Sequence, residues 1–250
     1  EAGALDEDAL LKGLGARNYA EVVRRHRNSF ITRDDFVRIA SRGFNAVRLP
    51  VPWYAFGDGV AQTIGFVGCM EHVDNALDWA EELGLKVVFA LAINPGGPGR
   101  GGVRHAAGEE PMVIMPDGGI PGGWGRFMAQ RHYRNVWLDC HLDRRPTTRV
   151  DVSGPSGVRR LVERNSRQLR EAARAGMPVM VGKWSAALPI ADSAMTPEGR
   201  IALERVFTSE QIAAYEKAPA WFFNTWKTSG LLPGWDARVA MATFERGMIA

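Results

Sequence analysis

Short, almost continuously apolar runs, each separated from the next by a stretch with helical spacing, constrain this chain most. Lys86-Val-Val-Phe-Ala-Leu-Ala92 is the clearest of them. Apart from its first residue it offers no polar face, which is the pattern of a strand buried on both sides of a parallel sheet. Comparable runs fall at 45–50, 112–115, 135–140, 178–182 and 220–226. The intervening segments carry helix signals. Thr32-x-x-Asp35 is a capping-box pattern whose helix closes at Gly43. Val73, Ala76, Leu77 and Ala80 recur at helical spacing before a stop at Gly84. A long helix is predicted around 156–175, ended by Gly176, and Thr196-Pro197-Glu198 caps another. Thr208-x-x-Gln211 reads as a second capping box, and a closing helix starts from Asp236. Strands alternating with helices point to βαβ units, a parallel sheet and the α/β class.

The 250 residues match the length of a complete eight-stranded β/α barrel, yet only six strand candidates are visible. With no repeat of 20–50 residues and no shift in composition, the expectation is one barrel-like domain over 1–250. Its N-terminal helical segment is 1–43 and its strand and helix units are 44–250. A chain 46% hydrophobic and 24% charged is ordinary globular material, which excludes disorder. Cys69 and Cys140 are too few for a disulfide scaffold. No apolar run approaches eighteen residues, so no membrane partner is expected. The first residues form no basic, apolar leader, and the compartment is left unassigned with a leaning to the cytoplasm. Basic residues are interspersed with acids along the helices, as over 159–174, and the run Arg24-Arg25-His26-Arg27 reads as a solvated helix face. Nucleic acid is therefore not expected as a partner.

In a parallel barrel, function collects at the C-terminal ends of the strands. Those ends read Arg48, Ile93-Asn94, Asp117, His141, Lys183 and Trp226. Lys183 stands out because the chain has only four other lysines (Lys12, Lys86, Lys217, Lys227). Part-buried, such a lysine can serve as a base or form a Schiff base. The competing reading is a structural ion pair with Asp139, Asp143 or Asp117. His141 is open to acid/base work, metal ligation or a structural hydrogen bond. His132 and Cys140 lie near it, but no C-x-x-C or H-E-x-x-H pattern supports a zinc site, and no metal or cofactor is expected. The loop 95–102 is glycine-rich but lacks the Gly-Lys-Ser/Thr ending of a P-loop, so a flexible or remodelled loop accounts for it.

Several blocks together resemble glycoside hydrolase family five, in its exo-β-1,3-glucanase branch. They are His26-Arg-Asn-Ser-Phe-Ile-Thr-x-x-Asp-Phe36, Asn45-Ala-Val-Arg-Leu-Pro-Val-Pro-Trp53, Asp78-Trp-Ala, Gly84-Leu-Lys-Val, Val181-Gly-x-Trp-Ser-Ala-Ala187 and Trp226-Lys-Thr228. The resemblance implies a (β/α)₈ barrel and retaining hydrolysis of β-glucosides by a carboxylic acid and a carboxylate nucleophile roughly 5–5.5 Å apart.

Carried over position by position, the resemblance gives Arg48 as the arginine beside the nucleophile and His141 as the histidine after the sixth strand. The tyrosine implied two residues later is Asp143, and the histidine implied after the third strand is Ala92. The nucleophile of a Gly-Glu-Trp-Ser motif falls on Lys183, within Gly182-Lys183-Trp184-Ser185. The subsite tryptophan before Trp226 falls on Asn224. Sugar contact is thereby assigned to Arg48, His141, Trp184, Asn224 and Trp226. The Asn-Glu-Pro that supplies the acid has its nearest string in Glu109-Glu110-Pro111, which precedes an apolar run instead of following one. On that reading strands one and four of the family are missing, and the fold is an incomplete TIM-type barrel with about six parallel strands.

With an ammonium at the nucleophile position no glycosyl ester can form there, and its charge repels a developing oxocarbenium ion. The expectation is a catalytically degenerate, carbohydrate-binding relative. Two alternatives stay open. One is an active retaining glucosidase with Glu110 as a relocated acid, and the other is a Schiff-base enzyme using Lys183. Exposed edges of a gapped barrel would also favour a homo-oligomer.

Overall fold

The computed structural model describes residues 7–57, 65–92, 103–105, 112–116, 135–142, 152, 154–174, 176, 178–189, 195–230 and 232–242. The chain divides into two compact units, Glu1–Gly101 and Gly102–Ala250.

The first unit runs α1 (Glu7–Ser29), α2 (Arg33–Ser41), β1 (Ala46–Pro52), α3 (Met70–Glu82) and β2 (Lys86–Ala92). Helix α1 breaks at Gly15, whose φ of 72° lies in the left-handed region that costs a glycine nothing. Helix α2 begins where the sequence places it, with the Asp35 carboxylate accepting the Thr32 backbone N–H at 3.1 Å and the Thr32 hydroxyl at 3.3 Å. β1 and β2 pair in parallel, from Ala46 opposite Lys86 to Pro52 opposite Ala92. Val51, Ala55 and Cys69 are buried behind this pair, with Leu49, Met70, Val73 and Phe89 packed on them. Arg27 ties α1 to the segment before α3. Its guanidinium donates to the Val67 and Gly68 carbonyls at 2.9 and 3.0 Å and to Glu7 Oε1 at 3.0 Å. Phe36 and Trp79 meet edge to face between α2 and α3, with Arg33 paired to Glu82 nearby.

The second unit runs β3 (Val103–His105), β4 (Met112–Pro116), β5 (Val136–His141), α4 (Pro155–Ala173), β6 (Val179–Trp184), α5 (Pro197–Tyr215), β7 (Trp221–Phe223), a 3₁₀ turn (Pro233–Trp235) and α6 (Ala237–Ala240). The sheet order is β3-β4-β5-β6-β7. From β4 to β7 all neighbours are parallel, whereas β3 is antiparallel to β4. Leu138, Cys140 and Val179 pack on Ala172 of α4, so these residues mark the helix-facing side of β5 and β6. A second cluster joins Val158, Leu161 and Val162 of α4 to Leu203 and Phe207 of α5.

The class is α/β with parallel sheets, and the six strands read from the sequence correspond to β1, β2 and β4–β7. Two readings need correction. The stretch 94–108 was expected to be loop throughout, but 103–105 forms a short strand, so the second sheet is not wholly parallel. Thr208-x-x-Gln211 starts no helix: both residues lie inside α5, where the Thr208 hydroxyl donates to the Glu204 carbonyl one turn back at 2.8 Å. A buried Ser/Thr within a helix can satisfy its hydroxyl in this way, so the four-residue pattern alone does not specify a start. Among the described residues, no helix is long and apolar enough to cross a membrane.

Candidate functional site

The ends of β5 and β6 form the most chemically loaded part of the second unit. Register runs Leu138–Val179, Asp139–Met180, Cys140–Val181 and then His141–Lys183. Between the last two pairs β6 advances by two residues while β5 advances by one, so Gly182 is the extra residue of a bulge. Past it, Trp184 is fully buried among Tyr215 of α5 (ring centroids 5.6 Å apart), Trp221 (5.5 Å) and Phe223 (4.9 Å). Lys183 stands between Gly182, whose backbone meets Asp139, and the buried Trp184, and its register partner on β5 is His141.

Asp139 lies under this pair. It is 1% exposed, and its Oδ2 accepts a hydrogen bond from His141 Nε2 at 2.9 Å. With Nε2 donating to the carboxylate, Nδ1 is the ring nitrogen not engaged by it. The carboxylate occupies the space beside Gly182 that any side chain would need. A Cβ built on Gly182 would stand 2.5 Å from Asp139 Oδ2 and closer still to Cγ and Oδ1. Glycine inside a strand often marks such a close approach. Lys183 is half-buried, and its carbonyl accepts the Leu142 N–H at 2.7 Å, which extends the ladder one residue past β5.

The loops around the site are tied down by polar contacts. On α5, Gln211 has no exposure. It donates to the Ser185 carbonyl at 2.9 Å and accepts from the Tyr215 hydroxyl at 3.3 Å, and that hydroxyl accepts from Asn165 of α4 at 3.3 Å. Burial pushes the Tyr215 phenol far above its ordinary range, against the smaller pull of the Asn165 bond, so it stays a neutral donor. Beyond β7, the Asn224 N–H donates to the Trp184 carbonyl at 2.8 Å, and the Asn224–Thr225 peptide is cis. The Thr225 N–H donates to Trp235 O and its carbonyl accepts from Ala237, both at 2.9 Å. Asp236 completes this clasp. Its carboxylate accepts the Thr228 N–H (3.1 Å), the Arg238 N–H (3.0 Å) and two bonds from the Arg238 guanidinium (2.9 and 2.5 Å). Burial alone would raise its pKa, but Arg238 and the two backbone donors outweigh that and hold it below the usual carboxylate range.

The residues singled out in the sequence are thus only partly brought together. His141 and Lys183 face each other across β5 and β6, with Asn224 anchored to the backbone just past Lys183. Trp226 is half-buried two residues further along. Trp184 sits in the aromatic core, with no solvent exposure. Arg48 belongs to the other unit, on β1 opposite Val88, and Ala92 ends β2. Asn94, Glu110, Asp117 and Asp143 lie outside the described residues, as does the glycine-rich loop 95–102. Asp139, considered as an ion-pair partner of Lys183, bonds His141 instead. Sequence reasoning missed the part played by Gly182 and placed Gln211 in a capping box. The first could have been suspected from a glycine in an otherwise apolar strand, whereas nothing in the sequence flags the buried hydrogen bonds of the second. Among the described residues, no three His, Cys, Asp or Glu side chains come together as metal ligands. Both cysteines are buried free thiols in different units, and burial pushes the Cys69 thiol up.

No family model matches the chain. It is similar to a probable glucan 1,3-beta-glucosidase A of Aspergillus fumigatus, 25% identical over 335 residues, covering 96% of this chain and 79% of that protein. The probable glucan 1,3-beta-glucosidase A of Emericella nidulans is 24% identical over 340 residues, with 97% and 83% covered. Glucan 1,3-beta-glucosidase 1 of Schizosaccharomyces pombe reaches 40% identity, over 92 residues that are 36% of this chain and 22% of that one. In fold the chain is similar to the crystal structure of rutinosidase from Aspergillus niger, with a TM-score of 0.67 at 14% identity, covering 94% of this chain and 85% of that one. In sequence the chain is thus similar to glucan 1,3-beta-glucosidases, and in fold to the rutinosidase structure, a likeness that points to an α/β, TIM-barrel type.

Proposed function

We propose that the chain is a family-five-like protein of the β-glucan or β-glucoside class that binds carbohydrate but no longer hydrolyses it by the retaining route. The observation that carries this reading is Lys183, at the strand end where the resemblance puts the nucleophile, opposite His141. A retaining site needs a carboxylate there and a second carboxyl group roughly 5–5.5 Å away. An ammonium forms no acylal-type ester with the anomeric carbon and opposes positive charge building on the sugar ring. The buried carboxylate nearby, Asp139, is bonded to His141 and rests against the Gly182 backbone, an arrangement that suits support better than attack. The alignment with the Aspergillus fumigatus relative spans 335 positions, more than the 250 residues of this chain. The relative therefore holds residues opposite gaps here, which supports the reading that barrel segments are missing, the acid strand among them. Loss of a positioned acid alone lowers rates by about 10²–10⁴.

Sugar contact in this reading falls to His141, Lys183, Asn224 and Trp226, with Arg48 assigned by the resemblance and Trp184 backing the strand end from the core. An aryl β-glucoside with an activated leaving group needs little acid assistance, so it isolates the nucleophile. The full chain should show no turnover of it, no covalent adduct by intact mass after a 2-deoxy-2-fluoroglucosyl fluoride, and measurable binding of a β-1,3-linked glucose trisaccharide. A fluoroglycosyl adduct on any carboxylate would overturn the proposal, and hydrolysis of an unactivated β-glucoside that is lost in Glu110→Gln would favour the relocated-acid enzyme.

A further inference from the structure

Resting on that reading, we infer that the Lys183–His141–Asp139 cluster selects saccharides bearing a carboxylate, such as a uronic acid, over neutral glucosides. Three observations converge. Lys183 is half-buried at the end of β6, opposite His141 in register, and makes no ion pair with a described residue. A part-buried ammonium is screened less than a surface one, so an anion delivered to it gains more than it would at an exposed lysine. His141 stands directly opposite in register, with Nε2 committed to Asp139 Oδ2 at 2.9 Å. Its ring is thereby held before a ligand arrives. Asp139 is in turn buried between His141 and the Gly182 backbone, whereas Lys183 keeps partial exposure.

A site complementary to a glycosyl cation presents a carboxylate at the anomeric carbon. Replacing it with an ammonium inverts the preferred partner, which becomes an anionic substituent on the sugar. A single ammonium matches a monoanionic carboxylate. A phosphate dianion would demand more donors and would feel the underlying Asp139 more strongly, so the carboxylate is the group the cluster fits.

The test measures binding of methyl β-glucuronide and methyl β-glucoside to the full chain by calorimetry or ligand-observed NMR. The glucuronide should bind about tenfold more tightly, and that ratio should shrink as salt is raised from about 50 to about 500 mM. In Lys183→Met the ratio should fall to about one, and in Lys183→Arg the preference should persist. Near-UV circular dichroism of each variant checks that it is folded, and the salt series on the unaltered chain tests the charge dependence without any variant. Equal affinity for the two sugars, or a preference that survives Lys183→Met, would overturn the inference while leaving the sugar-binding reading intact. No binding of either sugar would overturn both. Turnover of a glucoside alongside a retained acidic preference would overturn only the loss of catalysis.

Discussion

Gly182→Ala tests the frame of the strand end more sharply than any change to its charged residues. In an ordinary strand this substitution is favourable by about 0.5–1 kcal/mol, because glycine has the larger entropy to lose on folding. Here the added Cβ would lie 2.5 Å from Asp139 Oδ2, and nearer to Cγ and Oδ1, distances that real Cβ atoms do not show. The carboxylate must therefore swing out or the two strands must part. Swinging out breaks the 2.9 Å bond to His141 and leaves a 1% exposed carboxylate without that partner. Leaving a buried carboxylate without its hydrogen-bond partner costs about 3 kcal/mol, so the sign reverses from the ordinary glycine-to-alanine case. For a chain of this length the loss corresponds to a melting-point drop of roughly 6–12 °C at about 2–4 °C per kcal/mol. Urea unfolding followed by tryptophan fluorescence gives the free energy, and the Asp139→Ala background supplies the control. With the carboxylate gone, Gly182→Ala should cost under about 1 kcal/mol, a coupling of about 2–3 kcal/mol between the two sites. Equal cost in both backgrounds, or a stabilising Gly182→Ala in the unaltered chain, would refute the reasoning.

Other outcomes follow from the supports around the site. Gln211→Met removes both partners of a buried pair of groups, Ser185 O and the Tyr215 hydroxyl, and should lower the unfolding free energy by about 2–4 kcal/mol in the same urea assay. The Asp236 pKa is lower in the folded state than the ordinary 3.8, so the unfolded chain binds the proton more readily, and the stability this carboxylate contributes is present above 3.8 and lost as pH falls through the folded value. Asp236→Asn should accordingly be less stable than the unaltered chain at neutral pH and show a smaller further loss on acidification, measured as urea midpoints from pH 6 downward. Trp184→Ala empties a site bounded by three aromatic rings and should cost about 3–5 kcal/mol, with loss of near-UV dichroism.

The strands of the sheets were legible because a strand buried on both faces writes its own signal. Val87–Ala92 and Val179–Val181 have no polar positions to confuse the period, and both fall inside observed strands. Strand β3 was not legible, since Val103-Arg-His105 is three residues among glycines and its pairing depends on β4 rather than on its own pattern. The same division holds at the site. That His141 and Lys183 end neighbouring strands follows from counting apolar runs, but their facing each other depends on the Gly182 bulge, which shifts the register by one residue. Without that shift Lys183 would not be the residue opposite His141. Trp184, assigned to sugar contact by the resemblance, lies among Tyr215, Trp221 and Phe223, an arrangement that its place in the sequence does not reveal. Gln211 was read as a capping residue because four positions of a helix start look alike whether or not the helix is already under way.

On the proposed reading the strand end carries a charge opposite to a nucleophile's, yet its surround is ordered. Catalysis and binding ask different things of a scaffold. Catalysis needs charge placed for the transition state, and on that reading an ammonium at 183 does not supply it. Binding needs groups held still in the ground state, so that little freedom is lost when a ligand arrives. The second requirement is what the surround supplies. Asp139 Oδ2 is held by His141, Gly182 leaves room for the carboxylate, Gln211 fixes the Ser185 carbonyl, and the clasp of Asp236 on Thr228 and Arg238 holds the segment after β7. None of these contacts uses the Lys183 ammonium. On the inference that its charge is offered to a ligand, Lys183→Met should leave the urea midpoint nearly unchanged while abolishing the acidic-sugar preference. If instead that variant unfolded at markedly lower urea, the ammonium would be a structural ion, and its charge would be spent on the fold rather than offered to a ligand.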